Sequence, residues 1–296
     1  MKPERPDRSA AETPGVPLDV AVRSALRAAS RELDGPRTLL LLGTGEGLLA
    51  ERLVKPRRVL MGELEGAPAA WRAVHLASGE LAGHPVWLCE DLIGEPSDAA
   101  RAAQPWERAF PVWLAASAGA ALLVHTSAGA ALEEDGALDV GSIAVVSDHL
   151  NLSGSTPLAA LGESTLGPLF PDLTRLHHPE LRRAALRRAR ALGVAAAEAV
   201  VACTAGPSSE TPAERRYLAR AGAAVSVQGL APPLLAAAHA GLSALALVVI
   251  AERGPGPARL RELVAGAGAA QAALEDLCVA LGPDLTAAAA AAEEGA

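Results

Sequence analysis

Residues 141–158 read GSIAVVSDHLNLSGSTPL. Ile143–Val146 is a short continuous apolar run rich in β-branched residues, which predicts a strand covered on both faces. The run ends in Ser147-Asp148-His149, and Asn151 and Ser153-Gly154 follow. Two readings of this polar end stand open. Either Asp148 and His149 form an acid/base pair, or the cluster braces loops beside a site without touching substrate.

On either side the same pattern repeats. Leu39–Leu42, Val59–Met61, Val86–Cys89, Ala121–Val124, Ala199–Cys203 and Ala244–Ile250 are further apolar runs of strand length. Helix-like stretches cover 18–33, 98–119, 179–192, 212–221, 231–240 and 257–281. Pro179 near the start of one and Gly193 after its end fit the asymmetry of helix ends. Strands alternating with helices predict an α/β layered fold. No linker divides the chain, so a single domain is expected over 18–285, between a mobile N-terminal segment (1–17) and a loose, Ala-rich, low-complexity tail (286–296).

Composition narrows the function classes. The 296 residues carry a net charge of −8, which argues against a nucleic-acid binder. Two Phe, one Tyr and four Trp leave few rings for any stacking site. Cys89, Cys203 and Cys278 are scattered, so neither a disulfide framework nor a zinc cluster is indicated. The opening MKPERPDRSAAETPGVP lacks a signal-peptide pattern. Windows 109–132 and 221–251 are uncharged but broken by Pro, Gly and His, so no membrane span is expected. A cytoplasmic location follows as the expectation.

Three more stretches carry candidate chemistry. In LLLLGTGEGLLAERL (39–53) a strand runs into Gly43-Thr44-Gly45-Glu46-Gly47 and then an expected helix. Glycines let a backbone approach a ligand, and free N–H groups at a helix start attract anions. The stretch reads as a nucleotide site with Glu63 or Glu65 on a ribose, as an anion site using the Thr44 hydroxyl, or as a plain tight turn. HTSAGAAL (125–132) follows a strand with small residues that suit a ligand or a turn. In TAGPSSETPAERRYL (204–218), Ser208 or Thr211 can cap a helix opening at Pro212, and Glu210 sits just before it. Glu210 is either a first-turn acid favoured by the helix dipole or a carboxylate for a ligand's N–H groups.

Taken together and in order, GSIAVVSDHLNLSGSTPL, LGPLFPDLT (166–174) and AGPSSETPAERRYLARAGAAVSV (205–227) resemble the trimeric class of purine nucleoside phosphorylases and their methylthioadenosine-cleaving relatives. The family pattern is G-D-x-x-x-x-x-D-H-x-N-x-x-G, then F-G-x-x-F-P-x-M, then G-P-x-x-E-T-x-A-E, and its spacing is kept across roughly 120–250. The resemblance implies a three-layer αβα fold around a mixed, partly barrel-like sheet, and a homotrimer. It implies phosphorolysis: phosphate attacks C1′ of a purine nucleoside and releases the base and ribose 1-phosphate. No cofactor and no metal are implied, and phosphate is the co-substrate. Thr44 matches the family's phosphate-binding hydroxyl. Ser127 and Ala128 match the pair whose backbone lies against phosphate and sugar. Glu210 matches the glutamate on the purine edge.

Other positions depart from the pattern. The family's G-R-F-H, with a phosphate-binding Arg and a His, is Asp91-Leu92-Ile93-Gly94 here. Arg72 falls where a phosphate-contacting His is expected. Gln228 replaces the phosphate Ser in Val227-Gln228-Gly229, and Ser209 replaces the ring that stacks on the base. Glu252 stands where an Asn contacts the purine, and Leu260 where another His is expected. Glu210 and Glu252 are thus the expected catalytic pair. Thr44, Arg72, Ser127, Ala128, Ser209 and Gln228 are the expected substrate contacts. Each lost donor to transition-state charge costs about 10²–10³ in rate. The alternative is therefore a catalytically degenerate paralogue that binds ligand or regulates, pairing with an active homologue.

Overall fold

The computed structural model describes residues 16–43, 48–92, 104–132, 136–159, 161–254 and 260–294. Its organising element is the strand TLLLL, β1 (Thr38–Leu42), in which every residue is buried. Successive side chains of a strand leave on opposite faces. Leu39 and Leu41 enter one core with α1 (Leu18–Glu32), α2 (Phe110–Ser117) and α5 (Ala231–His239). Leu40 and Leu42 enter a second core with α3 (Pro179–Ala191), α6 (Leu260–Ala280) and α7 (Gly282–Glu294). A sheet buried between two helical layers follows directly from that run.

The remaining strands are β2 (Val54–Leu60), β3 (His75–Leu81), β4 (His84–Glu90), β5 (Leu122–Ala131), β6 (Ile143–Asn151), β7 (Ala196–Thr204), β8 (Val225–Gln228) and β9 (Ser243–Arg253); α4 spans Pro212–Arg220. The sheet order is β2-β3-β4-β1-β5-β8-β7-β6-β9, and β9 also pairs with β5. Strands β5, β8, β7, β6 and β9 therefore close into a five-stranded barrel at one end of the sheet. Beside β5, β1, β4 and β9 run parallel to it and β8 runs against it. The α/β fold with a mixed, partly barrel-like sheet is as expected.

Several elements differ from the sequence reading. β3 and β8 were read from no apolar run. No long helix follows the glycine turn: a 3-10 turn (Leu49–Arg52) leads straight into β2. Lys55, before Pro56, sits at a positive φ of 54°, and the proline that follows lacks the N–H a continuing helix needs. The stretch 125–131 is strand rather than turn, held by β9 and β8. β6 likewise runs on through the polar end to Asn151, with a register shift between Val146 and Asp148. The helix expected over 98–119 is a 3-10 turn (Pro105–Ala109) and then α2; residues 98–103 lie outside those described. The Ala-rich tail is helical to Glu294, with Leu285, Ala288 and Ala289 in the second core. A run of strong helix formers that can bury one face is ordered by packing. Of the segment 1–17, residues 1–15 lie outside those described. Among the described residues no helix is long and apolar enough to cross a membrane.

Candidate active site

β7 ends at Thr204, and Thr211 caps α4 through a reciprocal capping box with Glu214. The six residues between them swing Glu210 back over the barrel. Its Oε1 accepts from the Thr204 hydroxyl at 2.6 Å and its Oε2 from the Ser226 hydroxyl of β8 at 3.2 Å. Only a tenth of the side chain is exposed. Glu210 is therefore an oriented, inward carboxylate rather than a surface acid at a helix start.

Arg215, one turn into α4, lies under it. The guanidinium is buried, with Nη2 3.8 Å from Glu210 Oε2 and in direct contact with Glu252 Oε1, while Nη1 donates to Gly254 O at 3.1 Å. Glu252 itself is buried near the end of β9, beside Ala130 of β5. The structure thus brings the two expected carboxylates together and places a cation between them. Two buried carboxylates sharing a site without one would repel and raise each other's proton affinity. The sequence reading missed Arg215, whose burial and partners only the fold shows.

A second polar centre lies where β1 and β4 end beside the first half of β5. Asp91, just past β4, is buried; it accepts from Arg108 Nη1 at 2.8 Å and pairs with His125 Nε2 of β5 at 3.0 Å. Burial pushes this carboxyl up, but the His125 hydrogen bond and the Arg108 charge outweigh it and hold Asp91 below its usual range. Arg108 also donates to Leu92 O and reaches toward Gly229, at the β8–α5 turn. Here too a cation missed from the sequence, Arg108, answers an acid that it had flagged.

The glycine turn meets this centre from β1. Gly43 N donates to Thr126 O at 2.8 Å, and a side chain there would start 2.5 Å from that oxygen, so only glycine fits. Thr44 lies outside the described residues, as do Ile93 and Gly94. Ser127 is buried on β5 against Gly43, and Ala128 beside it is half-buried. Arg72 is exposed, on the turn that enters β3 at the same edge as the ends of β1 and β4. Gln228 is half-buried, and its side-chain amide donates to Ser208 O at 2.9 Å, bracing the 205–210 loop. Ser209 in that loop is exposed, so no ring covers this flank from that position. All four tryptophans are in the core.

At the polar end of β6, the two readings of Asp148 and His149 meet a third residue. His149 Nδ1 lies 3.1 Å from His177 Nε2, and Asp148 Oδ1 accepts from the His149 backbone N–H at 2.8 Å.

Comparison with known proteins agrees with this architecture. The Phosphorylase superfamily matches residues 37–281. Purine nucleoside phosphorylase 1 of Geobacillus stearothermophilus is 28% identical over 228 residues, covering 75% of this chain and 80% of that protein. Purine nucleoside phosphorylase of Mycobacterium bovis is 37% identical over 166 residues, covering 55% of this chain and 57% of its own. Among solved structures, Schistosoma purine nucleoside phosphorylase in complex with hypoxanthine superposes with a TM-score of 0.78 at 19% identity, covering 90% of this chain and 98% of that one. The chain belongs to the phosphorylase superfamily, with purine nucleoside phosphorylases as its relatives.

Proposed function

We propose that this protein is a purine nucleoside phosphorylase. A phosphate oxygen bonds to C1′, the C1′–N bond breaks, and the purine leaves with the bonding pair and takes up a proton, leaving ribose 1-phosphate. The observation that carries the reading is the position of Glu210. Its carboxylate is held inward at the end of β7 by Thr204 and Ser226, where a purine ring edge can donate N–H groups to it. Glu252 lies on the far side of Arg215, so the pair presents one carboxylate together with a fixed cation, which suits a heterocycle offering both donors and acceptors.

For the phosphate, Ser127 and Ala128 line the edge beside Gly43. Arg72 and Arg108 supply positive charge there, and Asp91 tethers Arg108. Electrostatic stabilisation of the kind phosphoryl and oxyanion sites use depends on such donors being fixed before reaction. A homotrimer is part of the reading, in keeping with the exposed apolar side chains of Leu152, Leu169, Phe170 and Leu173. So is a cytoplasmic location, supported by Cys203 and Cys278, which are buried and not in a disulfide.

The test is base release from inosine and guanosine at increasing phosphate. Expected is hypoxanthine or guanine formation that saturates with phosphate, in step with ribose 1-phosphate. No turnover at high enzyme concentration, with the fold intact, rejects the reading and leaves a binding or regulatory paralogue.

A further inference from the structure

The ligand atoms of Asp148, His149 and His177 all lie within 4.8 Å of one another. Consecutive residues of a regular strand point to opposite faces, so Asp148 and His149 would ordinarily diverge. The register shift between Val146 and Asp148 breaks that alternation, as bulges do where a side chain must be re-aimed. His177 is held independently. It bridges to Ala244 at the start of β9, and the next residue, His178, donates its N–H to Ala244 O at 2.9 Å and caps α3 with its ring. The three donors therefore stand on rigid elements from two parts of the barrel wall.

The spacing is that of a hydrogen-bonded ring pair and also lies near what a shared ion sets. Two imidazole nitrogens on a tetrahedral Zn²⁺, each about 2.0–2.1 Å from it, stand about 3.3 Å apart. Here they are 3.1 Å apart, with the rings at 70°. Arg182, the nearby cation, is paired with Glu198 at 2.9 Å. Asp148 is exposed and leaves one side open to water.

We propose that Asp148, His149 and His177 form a site for a divalent transition-metal ion, Zn²⁺ by its two-imidazole, one-carboxylate donor set, pinning β6 to the start of β9. This stands apart from the phosphorolysis reading. The full-length protein, stripped with EDTA, is titrated with Co²⁺ as a visible stand-in and then with Zn²⁺. Expected is one ion per chain at micromolar or tighter affinity, with d–d absorption that Zn²⁺ abolishes. His177→Gln and Asp148→Ala should each weaken binding tenfold or more. The absence of a stoichiometric ion, or unchanged affinity in either variant, overturns the proposal. Should His177→Gln fail to fold, Asp148→Ala, at an exposed position, decides alone.

Discussion

Asp91 and Glu252 put negative charge where the family resemblance leads one to expect an anion and a purine, and each meets an arginine. Glu210 was legible because its motif carries it. Its inward pose was not, because the choice between surface acid and ligand carboxylate depends on Thr204 and Ser226, which converge only in three dimensions. Arg215 and Arg108 were illegible for a different reason. In AERRYL and PWERAF an arginine reads as a solvated face, and only the fold shows which partner it reaches. The buried set yields a sharp expectation. Arg215→Leu strands two carboxylates and should cost about 3–5 kcal/mol, read as a lower midpoint in urea. Adding Glu252→Gln should recover much of it. An unshifted midpoint in the single variant contradicts the pairing.

Among the elements, apolar runs pick out strands buried on both faces, β1 foremost, while β2, reached through Val59–Met61, is exposed over most of its length. β3 (HLASGEL) and β8 (VSVQ) mix small and polar residues, and their partners rather than their periodicity make them strands. β5 and β6 run on past their apolar halves because the barrel's closure pairs their polar ends too. That closure is tight at Gly129, where an added Cβ would lie 2.6 Å from Ser226 O and 2.9 Å from side chains of both Val225 and Val248. Gly129→Ala should therefore cost about 1–3 kcal/mol, the usual range for overpacking a filled site, and should lower inosine turnover by displacing Ser226 and with it Glu210. Calorimetry and kinetics on the same preparation check this, and a neutral melt with full activity would show that the barrel tolerates the methyl.

At the scale of the whole molecule, the alternation of strand and helix sufficed for the layered architecture, whereas closure of the barrel rests on the β5–β9 pairing, which no local pattern announces. The C-terminal helix is tied to the sheet by His84, buried between the hydroxyls of Thr38 (2.8 Å) and Thr286 (3.0 Å). Burial, aided by the Arg37 charge, pushes His84 from 6.5 down to about 4. The unfolded chain therefore binds this proton first on acidification. The stability that the neutral ring contributes is present above pH 6.5 and is lost as pH falls through about 4. The melting temperature should drop over that window, and His84→Asn should flatten the slope. An unchanged slope would place the acid sensitivity elsewhere.

The account as a whole rests on Glu210 as the carboxylate that faces the base. Glu210→Gln keeps the side chain's shape while removing the charge; its amide oxygen can still accept from one of the two hydroxyls, and the other hydroxyl must turn to accept from the amide N–H. The decisive measurement is inosine phosphorolysis by the wild type and this variant, with thermal melts run alongside. A loss of about 10²-fold or more with a nearly unchanged melt is the predicted result. Full activity in the variant would contradict it.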